Sequence, residues 1–402
     1  MLNGATRAFI ARHREADIRR LALQRADGDV DLVTALEQIA GWQTAQHKLP
    51  TWAINDDIIY PPRLSMEQCS SEVTARYKVA IARRLIGDGQ RDTMVDLTGG
   101  TGADFSFMAR LFARAVYVEH QPRLCDLARH NMAALGLDNT EVVCAEAETY
   151  LQDMDGVSMI YIDPARRNNS GRRVYAISYC SPDVGALHDK LLDKANLVMV
   201  KLSPMLDIAK TISDLPATTE VHVVATGNEC KELLVVMDSD RSQAAGPTVY
   251  CVCDGMTFVY SLNEAHEAMV SVGPISEGMY LYEPCAPIMK AGCYGLLCRR
   301  YGIKAVDVNS HLFVAADDIT DFPGRRFCIE KVTRMDKQGL RTALRGIDRA
   351  NITTRNFPMS ADELRRRLRL KDGGDTCLFA TTAAGVHLII VARARGKYGD
   401  RV

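Results

Sequence analysis

The chain has 402 residues, 47% hydrophobic and 25% charged, with a formal net charge of −1. That composition is ordinary for a soluble globular protein of two or three domains, and no apolar run reaches the length of a membrane-spanning helix, which excludes that class. The charge is unevenly placed: residues 281–402 hold 22 Lys+Arg against 13 Asp+Glu, a net of +9, which leaves −10 on the remainder.

Residues 1–88 read as helical. In "FIARHREADIRRLALQ" the apolar Phe9, Ile10, Ile18 and Leu21 recur at helical spacing, and "DLVTALEQIAGWQTAQHKLP" repeats the rhythm up to Pro50. Ser65 and Gln68 have capping-box spacing, and a further helix is expected from about Ser71 to Ile86. The charged start "MLNGATRAFIARHRE" is unlike a signal peptide, so the expected location is the cytoplasm.

From 89 to 275 short apolar strands alternate with helical stretches: "TMVDL", "AVYVEH", "TEVVCA", "SMIYID", "LVMVKL" and "EVHVVA". This is the pattern of a parallel α/β sheet. "ELLVVM" and "TVYCVC" follow more closely, which suits an antiparallel finish. Residues 279–402 lack the alternation and read as an α+β domain. There "ADELRRRLRLKDGGD" is expected as one helix capped near Gly373 and Gly374, and "TCLFATT" with "VHLIIVARA" as a hairpin. The twelve cysteines include no C-x-x-C pair; the closest are Cys251-x-Cys253 and Cys293 to Cys298. Reduced thiols are expected, and no metal site.

The most informative stretch is "MVDLTGGTGADF", residues 94–105, a strand that ends at Asp96 before a glycine-rich turn and a helix. Ligands bind at the carboxyl ends of strands in open parallel sheets. A dinucleotide fingerprint would need a third glycine where Phe105 stands, and the G-x-x-x-x-G-K-[ST] phosphate loop is absent. Asp96 would repel a pyrophosphate but attract a cation, and S-adenosylmethionine carries a sulfonium and an ammonium. The next strand ends at Glu119, suited to ribose hydroxyls. The third ends near Glu146, suited to an adenine amino group, and the fourth at Asp163. Any one of these acids could be a helix N-cap; four at successive strand ends form a constellation.

In this order the motifs resemble those of class I S-adenosylmethionine-dependent methyltransferases. "VDLTGGTGAD" resembles their first motif, with Thr98 where the commonest form has glycine. "VEHQPRLCDLARHNMAALGL" resembles the segment with the ribose-binding acid, and "CAEAETYL" the adenine-contacting motif. "IDPARR" stands in the place of the catalytic D/N-P-P-Y/F motif. The resemblance covers roughly residues 70–270. Further on, "EPCAPIMKAG", "NSHLF", "DFPGRRF", "ANITTRNFP" and "LKDGGDTCLFATT" resemble the THUMP-like domain of a bacterial methyltransferase family. The resemblance implies a Rossmann-like class I methyltransferase sheet (89–275) between an N-terminal helical region (1–88) and a C-terminal THUMP-like α+β domain (279–402). It implies S-adenosyl-L-methionine as cofactor, held by Asp96, Thr98, Gly100, Gly102, Glu119, Glu146, Asp163 and Ser71. True THUMP domains bind RNA, so an RNA base, in tRNA or rRNA, is the expected acceptor. A protein or small-molecule methyltransferase and a catalytically inactive RNA-binding protein remain the alternatives.

In that motif Asp163 supplies an acceptor and Pro164 a rigid turn, while Ala165 and Arg166 replace the second proline and the aromatic. Arg166 could stack on a base or grip a phosphate, with Arg167 beside it, or both could pair with surface carboxylates. Lys201, at the end of "LVMVKL", could reach a substrate phosphate or be an exposed strand-end lysine. Ser70, Ser71 and Thr74 could cover the methionine end of the cofactor or simply cap a helix. Cys180 and Cys285 are candidate nucleophiles by type only. In the basic C-terminal part, Arg365 and Arg369, with Arg366 at the edge, could form a stripe that follows an RNA backbone while Leu364 and Leu368 pack inward. They could equally pair with Asp362, Glu363 and Asp372 on a solvated face.

Overall fold

In the computed structural model, which describes residues 2–23, 28–87, 91–166, 176–239 and 246–396, the chain divides into two units. One comprises Met1–Thr219 with Leu234–Arg241, the other Glu220–Leu233 with Ser242–Val402. Among the described residues no helix is long and apolar enough to cross a membrane.

The first unit begins with helices cut by caps and prolines. Asn3 caps Gly4–His13, Asp17 restarts the chain at Ile18–Leu21, and Asp31 caps Leu32–Lys48. Pro50 opens the next turn, Pro50–Ala53, where its missing N–H costs nothing. The expected Ser65–Gln68 capping box does not form. Pro62 precedes a helix that already runs Arg63–Gln68, so Ser65 sits inside it. Ser71 caps Glu72–Ile86 by accepting from Thr74 N at 3.3 Å. Leu49, Trp52, Tyr60, Met66 and Ala75 form one core with Ala103 and Phe107. That core ties these helices to the helix Ala103–Met108 behind the glycine-rich turn.

The sheet of this unit contains β1 (Thr93–Asp96), β2 (Arg114–Glu119), β3 (Thr140–Cys144), β4 (Val157–Ile162) and β7 (Ala195–Leu202). A short pair, β5 (Ala165–Arg166) with β6 (Cys180–Ser181), stands apart. The parallel order is β3-β2-β1-β4-β7. Strand order runs outward from β1 first to one side and then, through β4, to the other, so the topological switch lies between β1 and β4. Met94, Val95, Val116, Val118, Ile160 and Val198 are buried, as strands covered on both faces require. The acidic ends of β1, β2 and β4 therefore open at one edge.

In the second unit, Thr248–Cys253 pairs in parallel with residues 220–225, so the expected antiparallel finish does not lie in this pair. The reversal has already happened at Gly227 and Asn228, both at φ 58°, a two-residue turn of the type that joins hairpin strands. The antiparallel partner is Met256–Ser261. A separate seven-stranded sheet includes the expected hairpin of Thr376–Ala383 with Val386–Ala394. Alternate residues of that hairpin serve two cores: Phe379, Ile390 and Ala392 one, Leu378, Ala380, Ile389 and Val391 the other.

The arginine-rich helix is shorter than expected. It spans Ala361–Leu368, opened by a Ser360–Glu363 capping box. Arg369 takes the left-handed conformation at φ 57°, Leu370 N bonds to Arg365 O at 3.2 Å, and Leu370 is buried. This is a Schellman ending with an arginine in the position usually given to glycine.

Candidate functional site

The carboxyl edge of β3, β2, β1 and β4 surrounds a cavity of about 710 Å³. Its frame is backbone held by side chains. Asp96 Oδ1 accepts from Thr98 N at 2.9 Å, and Thr98 Oγ1 accepts from Asp163 N at 2.6 Å, which joins the ends of β1 and β4. Glu119 accepts from Gly100 N at 3.0 Å and from Gln121 N at 2.9 Å, which joins β2 to the glycine turn. An ionised carboxylate offers about four acceptor positions, so Glu119 keeps capacity for ligand hydroxyls. The Tyr117 hydroxyl donates to Gly100 O at 2.6 Å, and its ring fills the place a Cβ on Gly99 would occupy. Gly100 and Gly102 are glycines for another reason, φ of 55° and 77°.

Asp96, Thr98, Gly100, Glu119, Glu146, Asp163 and Lys201 line the cavity together. Glu146 stands at the N-cap of Ala147–Asp153 without making a side-chain cap bond. Gly102 starts its helix, and a Cβ there would meet Met132 Cε at 2.8 Å, so it faces the protein interior. Ser71 is occupied as a cap, while its neighbour Ser70 reaches the cavity. Pro164 is buried, and Arg166 is paired through its backbone with Cys180. Arg167 and the side chain of Arg166 lie outside the described residues. Lys201 Nζ lies 2.5 Å from Asp163 Oδ2, so its nearest anion is a site carboxylate. In the second unit Arg365 is held by Asp362 at 2.6 Å and Asp372 at 2.7 Å. Arg369, past the helix end, does not extend the expected stripe.

A buried cluster at the cavity wall is not apparent from the sequence. Lys78, fully buried, lies 3.0 Å from Asp104 Oδ1, and Asp104 Oδ2 accepts from Ser70 Oγ at 2.6 Å and from the Tyr161 hydroxyl at 2.7 Å. Burial pushes the Asp104 carboxyl up, but Lys78, Lys201, Ser70 and Tyr161 outweigh it and hold it below the ordinary range. The only hint is a lysine amid apolar residues in "RYKVAIA". Cys69 also lines the cavity, and burial raises its thiol, which argues against a ready thiolate. Cys180 is buried, and Cys285 belongs to the second unit.

Asp96 is the electrostatic key. Burial drives its carboxyl well above the ordinary range; the Thr98 N–H opposes this, while Asp104, Asp163 and Glu119 add to it. A buried, crowded carboxylate of this kind is stabilised by a cation in the cavity. The close backbone of Gly99 and Gly100, acceptors for hydroxyls and an amine, and the excess of carboxylates together fit a cationic nucleoside ligand such as S-adenosylmethionine.

Comparison with known proteins agrees. A family model described as THUMP domain-like matches residues 324–394, and one described as a ferredoxin-like domain matches residues 280–323. The crystal structure of a "putative methyltransferase" from Porphyromonas gingivalis W83 aligns at a TM-score of 0.86 and 31% identity, covering 98% of this chain and 100% of that one. An "uncharacterized S-adenosylmethionine-dependent methyltransferase" of Mycobacterium tuberculosis H37Rv is 26% identical over 76% of this chain and 80% of its own length. The ribosomal RNA small subunit methyltransferase J of Acinetobacter baumannii is 31% identical over 26% of this chain and 38% of its own.

Proposed function

The chain belongs to the S-adenosylmethionine-dependent methyltransferases that carry a C-terminal THUMP-like domain, and we propose that it transfers the methyl group to RNA. The observation that carries the reading is the set of acidic residues at successive strand ends around one cavity at the switch point. Asp96, with Thr98 and Gly100, holds the methionine end of the cofactor, and Ser70 closes over it. Glu119 takes the ribose hydroxyls and Glu146 the adenine amine. Gly102 and Ser71 act one step back, by setting the turn and the helix start. When bound, the cofactor supplies a methyl already activated on a sulfonium, so the chain's main task is alignment. Asp163, fixed through its N–H on Thr98, then marks the accepting end, with Pro164 stiffening the turn and Arg166 and Arg167 following it.

RNA as substrate is supported by the net +9 of residues 281–402, by the THUMP-like match, and by the partial likeness to a ribosomal RNA methyltransferase. Mass spectrometry of nucleosides from total RNA, with and without the gene, tests it. One methylated nucleoside should disappear in the deletion and return on complementation. An unchanged nucleoside profile, with methyl label entering protein or a small molecule, would replace this reading.

A further inference from the structure

Asp163 follows β4 and Lys201 lies in β7, and the parallel register of these strands, with Ile162 opposite Val200, sets the two residues side by side. Their side chains meet at 2.5 Å, and both line the cavity. Lys201 is largely buried, its side chain 14% exposed, and Asp163 more open at 39%.

We propose that the Asp163–Lys201 pair is built for an acceptor that must give up a proton as it takes the methyl, a ribose hydroxyl or a ring lactam N–H, and not for an exocyclic amine. This rests on the reading that Asp163 marks the accepting end of the cavity. A neutral exocyclic amine becomes cationic at nitrogen when it bonds to the methyl carbon, and sheds its proton afterwards. A lone carboxylate stabilises that charge. A carboxylate already matched by an ammonium 2.5 Å away stabilises it little, and the ammonium repels it.

An oxygen or a lactam nitrogen behaves in the opposite way. Negative charge grows on the accepting atom as its proton leaves, and the Lys201 ammonium is placed to stabilise it. The balance is simple. The acceptor's O–H or N–H bond breaks and the proton passes to the Asp163 carboxylate. The new bond to the methyl carbon forms while the carbon–sulfur bond breaks, its electron pair remaining on sulfur.

The test uses the full-length protein, S-adenosylmethionine tritiated in its methyl group, and total RNA from cells lacking the gene. Labelled RNA is split into two portions, one hydrolysed in alkali and one digested to nucleosides. Label in alkali-resistant dinucleotides identifies a ribose 2′-oxygen, and label on a ring nitrogen that carried a proton, guanine N1 or uracil N3, identifies a lactam; either supports the proposal. Label on an exocyclic amine, on carbon, or on a ring nitrogen that carried no proton, such as guanine N7 or adenine N1, overturns it. If RNA takes no label, an extract of the same cells replaces it; label in protein or a small molecule then overturns the RNA reading alone, and the labelled group decides here: an ether or lactam methyl supports the pair's role, and a methylamine, or an ester on an already ionised carboxylate, overturns it.

Two variants add a second readout. Asp163→Asn keeps a hydrogen-bond acceptor but loses the proton acceptor. The proposal expects transfer at saturating cofactor to fall at least about a hundredfold, whereas an amine acceptor would tolerate the amide. Lys201→Gln should slow transfer similarly and move the pH–rate profile. Near-normal transfer in Asp163→Asn would overturn the proposal even if Lys201→Gln failed to fold.

Discussion

Asp96 illustrates how a residue proposed to hold a cationic cofactor can cost the free protein stability. Its folded carboxyl titrates well above its unfolded value, mainly through burial. Such a group contributes stability below the unfolded value of about 3.9, and that contribution is lost as pH rises through the folded one. At neutral pH its burial therefore works against folding. Asp96→Asn retains an oxygen for Thr98 N and removes the charge. We expect the variant to melt at least about 2–4 °C higher than the parent at pH 7, equivalent to roughly 1 kcal/mol, and to lose this advantage near pH 4. Its affinity for S-adenosylmethionine should fall about tenfold to a hundredfold, as for a missing charge-assisted hydrogen bond. Calorimetric scans at both pH values and a titration check the two halves; equal melting at pH 7 would mean the carboxyl is not under strain. Asp96, Glu119 and Asp163 are legible in the sequence as a set, because any single acid after an apolar run could be a helix N-cap but acids at successive strand ends line one edge of the sheet. Asp104 is not. Its partner Lys78 is 26 positions away, and nothing in local spacing announces a buried pair closed by tertiary packing.

At the scale of elements, the glycine turn is decided by packing that the motif conceals. Its first glycine, Gly99, has no need of positive φ; it is small because the Tyr117 ring lies against it. That ring is fully buried and its hydroxyl is tied to Gly100 O, so it cannot swing aside. Gly99→Ala should destabilise the protein by about 1–3 kcal/mol, the usual cost of overpacking, and weaken cofactor binding as the turn shifts. Chemical denaturation checks the first effect. In a double-mutant cycle, Tyr117→Leu should recover part of the stability, because the two residues share one space; strictly additive effects would refute the shared packing. The alternation of strands and helices from 93 to 226 is readable from period and run length. The end of the arginine helix is not, because Leu370 turning inward outweighs the preference against a left-handed arginine, a cost of roughly 1–2 kcal/mol. Sequence periodicity carries no record of that trade.

For the whole molecule, the charge asymmetry read from composition acquires particular residues. Counting arginines over 365–369 treats all of them as available to a polyanion, but Arg365 is engaged by Asp362 and Asp372 and is only partly exposed. Arg366 and Arg369 are exposed, and no carboxylate ion pair to either is found among the described residues. If the second unit captures RNA here, these two should bind phosphates and Arg365 should not. Binding of total RNA should weaken with salt along a straight log–log line. Replacing Arg366 and Arg369 together by glutamine should flatten that line by about 1.4–1.8, at roughly 0.7–0.9 for each phosphate no longer neutralised. Arg365→Gln should leave the slope unchanged and lower stability slightly, because it breaks two surface pairs worth roughly 0–1 kcal/mol each. Cofactor affinity should be the same in all three proteins, since the cavity is formed by residues of the first unit. Fluorescence anisotropy at salt concentrations from about 50 to 300 mM, roughly the range over which phosphate neutralisation dominates, measures the slopes. Equal slopes for parent and double variant would remove this helix end from the RNA site, and a larger change in Arg365→Gln than in the double variant would show that its ion pairs open to admit phosphate.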